Sequence, residues 1–213
     1  MNVYFDTEFT GLVPDTSLIS IGMIDEEGCK FYAEFTDYNK KLCNEWIEEH
    51  VIANLIFKGA FARGQQNTNY FEDDLKAAGI EDDDPRNMFV RGSSHYIRDK
   101  LRIWLEEIRE PVQLVSDVCH YDMTLLCNLF GGAFDLPKNV NPVCYDICQD
   151  IANGCGIWNL ETHNHAKIMR NGFDFSREEF CEDVLGLKLP TGSKHNALYD
   201  AEVIKLIYEK LKR

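Results

Sequence analysis

The chain has 213 residues, 45% hydrophobic and 27% charged, with a formal net charge of −14. That length supports one full-sized core and is too short for two well-built ones, so a single domain over residues 1–213 is expected. The acidic balance argues against tracking along duplex DNA, which requires a basic face and counterion release; contact with nucleic acid should be local and cation-assisted. No window nears the ~20 apolar residues of a membrane span, and no basic stretch leads into an apolar run at the start. A cytoplasmic protein without a membrane partner is the reading. Its eight cysteines are scattered along a chain able to build a core, which points to reduced thiols rather than a disulfide framework.

In chain order, residues 3–36 alternate as strands do: Val3-Tyr4-Phe5-Asp6-Thr7-Glu8-Phe9, then Leu18-Ile19-Ser20-Ile21-Gly22-Met23-Ile24, then Lys30-Phe31-Tyr32-Ala33-Glu34-Phe35. Pro14-Asp15 and Glu27-Gly28 mark the turns, so a three-stranded antiparallel meander is predicted. Residues 59–91, rich in Gly, Asn, Gln and Asp, read as an insertion or long surface loop. Ser93 or Ser94 caps a helix in which Ile97, Leu101, Leu105 and Ile108 recur every three or four positions, and which ends before Pro111. Val112-Gln113-Leu114-Val115-Ser116 follows as a strand, and Asp122 opens the next helix. Residues 154–175, with Asn, His and Gly interspersed, read as a second insertion or long surface loop. Ser176-Arg177-Glu178-Glu179 is a capping-box signature for a short helix ending at Gly186, and Ala197 to Leu211 keeps helical periodicity.

The chemistry starts with Asp6 and Glu8. Two residues apart on a strand, they share a face, and two buried acids on one face require partners, of which cations are the economical ones. On its own an Asp-x-Glu is more often an edge strand facing water, and a single Asp122 is more often a helix-start aspartate favoured by the dipole. His195 and Asp200 are five residues apart, so on one helix they would stand about 140° apart; they meet at one site only if His195 lies on the preceding loop. Gly192-Ser193 makes that loop plausible.

Taken together, Asp6-x-Glu8, Tyr121-Asp122 and His195-x4-Asp200 resemble the three motifs of DEDDh-type 3′→5′ exonucleases. Within that superfamily the chain is most similar to RNase AS-like exoribonucleases, through Asp6-Thr7-Glu8-Phe9, Leu18-Ile19-Ser20-Ile21-Gly22, Trp46 with His50-Val51, and Leu126-Cys127-Asn128-Leu129-Phe130-Gly131. The sister tyrosine branch would carry its tyrosine at position 196, where this chain has Asn196. Thr10-Gly11-Leu12 is also similar to oligoribonucleases and DNA proofreading exonucleases, which leaves RNA against DNA open.

The resemblance implies an α/β, ribonuclease H-like mixed sheet: the antiparallel meander plus parallel strands, with helices on both faces. It implies two Mg²⁺ or Mn²⁺ ions, one held by Asp6, Glu8 and Asp200 and a second touched by Asp6 and served by Asp122. His195 would be the general base, the substrate a single-stranded 3′ end with RNA favoured, the product a nucleoside 5′-monophosphate, and the assembly a homodimer. Thr10 and Gly11 are placed to meet a terminal nucleotide, glycine allowing close backbone approach, whereas Phe9 can stack on a base only if the strand ends there. The alternatives are a DNA-directed proofreading-like exonuclease, or a non-catalytic nucleic-acid- or protein-binding module with a zinc site of Cys144, Cys148, Cys155, His163 and His165. That set lacks a tight Cys-x2-Cys knuckle.

Overall fold

The computed structural model describes residues 1–57, 72–154 and 176–212, the side chains of 152–154 excepted. Strands β1 (Asn2–Phe9), β2 (Leu18–Asp25) and β3 (Lys30–Phe35) form the expected antiparallel meander. Three strands join it in parallel: β4 (Met88–Gly92) beside β3, β5 (Gln113–Ser116) beside β1, and β6 (Tyr145–Asp146) beside β5. Among the described residues the order is β4-β3-β2-β1-β5-β6. Every residue of β2 is buried, as befits a strand covered on both faces.

The helices are α1 (Glu45–His50), α2 (Glu72–Ala77), α3 (Ser94–Glu107), α4 (His120–Phe130), α5 (Ile147–Gly154), α6 (Arg177–Glu179, continuing as a π turn over Phe180–Val184) and α7 (Ala197–Lys212). On one face, Val3, Phe5, Met23 and Leu114 pack against Ile97, Leu101 and Leu105 of α3 and Leu126 of α4. On the other, Tyr4, Ile24 and Val115 pack against α5, Phe180 and the Ala201, Ile204 and Ile207 stripe of α7. Each large aliphatic side chain removed from water contributes about 1.5–3 kcal/mol, so these two layers hold the sheet between helices. No helix of the described residues is long and apolar enough to cross a membrane.

Local signals set several helix ends. The Ser93 hydroxyl accepts from the Tyr96 N–H at 3.4 Å and starts α3; the Ser176 hydroxyl does the same for Glu179, also at 3.4 Å. Gly131, at φ +106°, closes α4.

In the stretch read as an insertion or long surface loop, 59–91, the described residues hold secondary structure, α2 and most of the parallel edge strand β4. The apolar run Met88-Phe89-Val90 is short and follows the acidic stretch Glu81-Asp82-Asp83-Asp84, so no period of two could show. The strand also carries Arg91, buried beside Glu34 at 3.7 Å. Residues 58–71 and 155–175 lie outside the described residues, and with them most of the second insertion and Cys155, His163 and His165 of the zinc alternative.

Gly22 sets the seating of α7. A Cβ built there would lie 2.3 Å from both the Ala197 carbonyl carbon and the Leu198 nitrogen, so the first turn of α7 rests directly on the β2 backbone. Asp200, in that turn, is thereby brought to the end of β1.

Candidate active site

The pleat of β1 serves two purposes. Asp6 and Glu8 pair across β2 with Gly22 and Ser20, on the face where α7 lies. Thr7 points the other way and meets the start of α4: its N–H and its hydroxyl both donate to Asp122 Oδ1, at 3.0 and 2.6 Å. A strand residue between the two acids thus fixes the third, and α7 supplies the fourth from the opposite layer. All five predicted catalytic residues, Asp6, Glu8, Asp122, Asp200 and His195, line one cleft of about 520 Å³. Ligating atoms of Glu8, His195 and Asp200 lie within 4.8 Å of one another.

These carboxylates hold their protons unusually tightly. Burial, followed by the charges of Asp122, Asp200 and Glu8, raises Asp6 well above the ordinary carboxylate range. Glu8 is raised the same way, by burial and then by Asp200 and Asp122. Asp200 is pushed up to about 8 by burial and then Glu178, although the His195 backbone N–H pulls it down. Asp122 rises less, to about 6, because the Thr7 hydrogen bonds offset part of its burial.

His195 lies on the loop before α7, as its spacing from Asp200 required. Its backbone is left-handed, φ +62°. Its Nδ1 is 3.9 Å from Glu8 Oε1, and its ring meets the Trp46 ring edge-on at 4.9 Å. Burial, then the positive field of Lys194 and His50, lowers its pKa. A neutral imidazole at physiological pH can accept a proton, so the contact with Glu8 is not an ion pair there.

The proposed substrate residues are placed differently from one another. Pairing with β2 shifts between Glu8 and Phe9, where the strand ends; the Phe9 ring stacks on Tyr121 at 5.4 Å and lines the cleft. Gly11, at φ +145°, also lines it. Thr10 is buried, its hydroxyl accepting from the Ser17 N–H at 3.0 Å and lying 3.2 Å from the Thr16 hydroxyl, so it braces the loop that carries its neighbours.

Sequence reasoning missed Asp117, Arg177, Glu178, Lys194, Leu12 and Trp46, which share the cleft wall. Arg177 grips Asp117 with Nε and Nη2, the latter at 2.6 Å, and Lys194 lies 3.6 Å from Glu178. An acid at the exit of a buried strand was the available signal for Asp117; nothing local marked Arg177 as its partner. Asp117, Asp146 and Cys148 also bring ligand atoms within 4.8 Å of one another. There Arg177 already supplies the positive charge, and Asp146 accepts from the N–H groups of Val118 and Cys148 at 3.1 and 2.9 Å.

The main acid set fits divalent cations of the Mg²⁺ or Mn²⁺ type. Its donors are hard carboxylate oxygens plus one imidazole; burial raises all four acids and, at Asp6 and Glu8, the charges of the other acids add to it, an effect that cations would offset. Among the described residues no basic side chain pairs with Asp6, while Arg177 and Lys194 are engaged with Asp117 and Glu178.

No family model matches the chain. Two curated 3′-5′ exoribonucleases from two strains of Mycobacterium tuberculosis are 26% identical to it over 145 residues, 66% of this chain and 67% of each relative. Among solved structures, exonuclease I superposes with a TM-score of 0.50 at 14% identity, covering 99% of this chain and 40% of that one, a likeness of fold. In motif order and in these relatives the chain is similar to DEDD-type 3′-5′ exonucleases, and its mixed α/β sheet is similar in fold to exonuclease I.

Proposed function

We propose that the protein is a metal-dependent 3′→5′ exonuclease that releases nucleoside 5′-monophosphates from the 3′ end of single-stranded nucleic acid, RNA in preference to DNA. The observation that carries this is the convergence of four carboxylates and one histidine on a single cleft. Asp6, Glu8 and Asp200 would hold one Mg²⁺ or Mn²⁺, and Asp6 with Asp122 would serve a second. When bound, such ions supply Lewis-acid stabilisation of the charge that develops at phosphorus and at the leaving oxygen.

The chain's own groups do the rest. His195 accepts the proton of the attacking water, a role worth about 10²–10⁴-fold in rate. Thr7 keeps Asp122 aimed into the cleft. Leu12 and Trp46, 67% and 46% exposed, give the cleft an apolar lip against which the face of a base can rest, with Phe9 and Gly11 beneath. RNA is favoured because the curated relatives are named exoribonucleases.

A gel time course on 5′-labelled single-stranded RNA and matched DNA, with Mg²⁺, Mn²⁺ or EDTA, tests this reading. The expected result is a metal-dependent ladder shortening from the 3′ end, faster on RNA, and lost in Asp6→Ala and His195→Ala. Faster DNA cleavage would move the assignment to a DNA-directed enzyme. No cleavage of either polymer, with zinc retained through purification, would favour the binding-module alternative.

A further inference from the structure

We propose that Asn54 is a positioning residue that clasps the loop bearing His195 and so sets the imidazole in the cleft; this rests on the reading of His195 as general base. A non-glycine residue is strained in the left-handed region, where its Cβ crowds the backbone, and His195 sits there at φ +62°. Such a conformation persists only where its surroundings hold it. Asn54 holds it from both sides. Its Nδ2 donates to the Lys194 carbonyl at 2.9 Å and to the His50 carbonyl at 2.7 Å, and its own backbone carbonyl accepts from Asn196 Nδ2 at 2.9 Å. The residues immediately before and after His195 are therefore both fastened to one asparagine. Both groups facing the side-chain amide are carbonyl oxygens, so the NH₂ end must point at them.

The clasp reaches further than the loop. Asn196 Oδ1 faces the N–H groups of Leu198 and Tyr199 at 3.2 and 3.3 Å, so the side chain that grips Asn54 also caps α7, the helix of Asp200. At its other end Asn54 holds the last residue of α1, His50, whose ring stacks on Trp46 at 4.9 Å. Trp46 in turn meets the His195 ring at the same separation, 4.9 Å. One amide thus fixes the distance between the aromatic wall on α1 and the loop packed against it. Asn54 is not among the residues lining the cleft, so it acts on the reaction indirectly, its side-chain amide gripping the His195 loop at the Lys194 carbonyl.

Asn54→Asp keeps the shape but turns an oxygen toward two carbonyls, opening the clasp. The test is a double-mutant cycle of Asn54→Asp with His195→Ala, read in kcat, KM and Mn²⁺ affinity on single-stranded RNA. In the wild-type background kcat should fall about 10-fold, the scale of a small misplacement of a reacting group, with KM and Mn²⁺ affinity within about twofold. In the His195→Ala background the same substitution should change kcat by less than about twofold. Equal losses in both backgrounds, or none in the wild type, would overturn the proposal. If His195→Ala alone retains the wild-type rate, the general-base reading fails and the clasp falls with it, a result distinct from equal losses. Should Asn54→Asp not fold, Asn54→Ala, which removes the donor without adding repulsion, is held to the same criteria.

Discussion

Glu8 and Glu34 occupy one row of the sheet: Glu8 lies across from Ser20, Ser20 from Glu34, and Glu34 from Arg91. They stand two strands apart, roughly 10 Å by strand spacing. Around Glu34 the fold supplies partners. Its Oε1 accepts from the Tyr32 hydroxyl at 3.0 Å and the Phe57 N–H at 2.9 Å, and Arg91 lies 3.7 Å from Oε2. Around Glu8 it supplies further acids and a histidine held neutral. Both carboxyls are raised by burial, yet only the second environment is incomplete without a cation. Where a buried acid finds its donors within the chain it serves the fold; where several are left facing one another they serve a ligand.

The largest expected effect follows from removing one of the facing acids. Asp6→Asn should lower activity by about 10³-fold, the scale of losing a preorganised electrostatic partner. In EDTA the same variant should be more stable than wild type, by about 0.5–2 kcal/mol, because one source of repulsion is gone. Urea unfolding with and without Mn²⁺ measures both: the wild type should gain stability from the metal and the variant little. A variant less stable in EDTA would show that the acids are partnered after all.

Gly22→Ala comes next. The added Cβ must push the first turn of α7 off the sheet, costing about 1–3 kcal/mol as overpacking does and carrying Asp200 away from Glu8. Chemical denaturation combined with Mn²⁺ titration should show both losses; unchanged metal affinity would mean that α7 is seated by other contacts.

Thr7→Val tests the link to Asp122. Without the 2.6 Å hydroxyl bond, metal affinity should drop roughly 10-fold, as when an outer partner of a ligand is removed, while stability changes little. Calorimetric titration with Mn²⁺ reads it directly.

Glu34→Gln should leave metal binding untouched and change only the pH dependence of folding. Glu34 is raised from 4.5 to about 7 by burial, which outweighs its hydrogen bonds. The native state therefore retains a proton that the unfolded chain releases. Its contribution is most favourable below about pH 4.5 and is lost as pH rises through 7. Glutamine removes this titration, so the decline in stability between pH 5 and 8 should flatten by on the order of 1 kcal/mol. An unchanged slope would place the titration elsewhere.

Much of this was readable along the chain because it depends on short-range periodicity. The period of two gave the meander and put Asp6 and Glu8 on one face; the three-to-four repeat of Ile97, Leu101 and Leu105 gave α3; the spacing of His195 and Asp200 placed the histidine off the helix. β4 escaped because its run is too short to show a period and includes a charged residue whose partner, Glu34, is distant in sequence. Arg177 escaped because its capping box explained it fully until the fold set Asp117 against it.

The sequence by itself determined which residues carry acid, base and strand or helix signals, since those follow from side-chain chemistry and local geometry. Tertiary structure alone decided how they are held. Thr7 reaches Asp122 across 115 positions, and Asn54 reaches Lys194 across 140. Gly22 matters only because a helix rests on it. Contacts of that range leave no local pattern: each residue is satisfied by a group that only chain folding brings near.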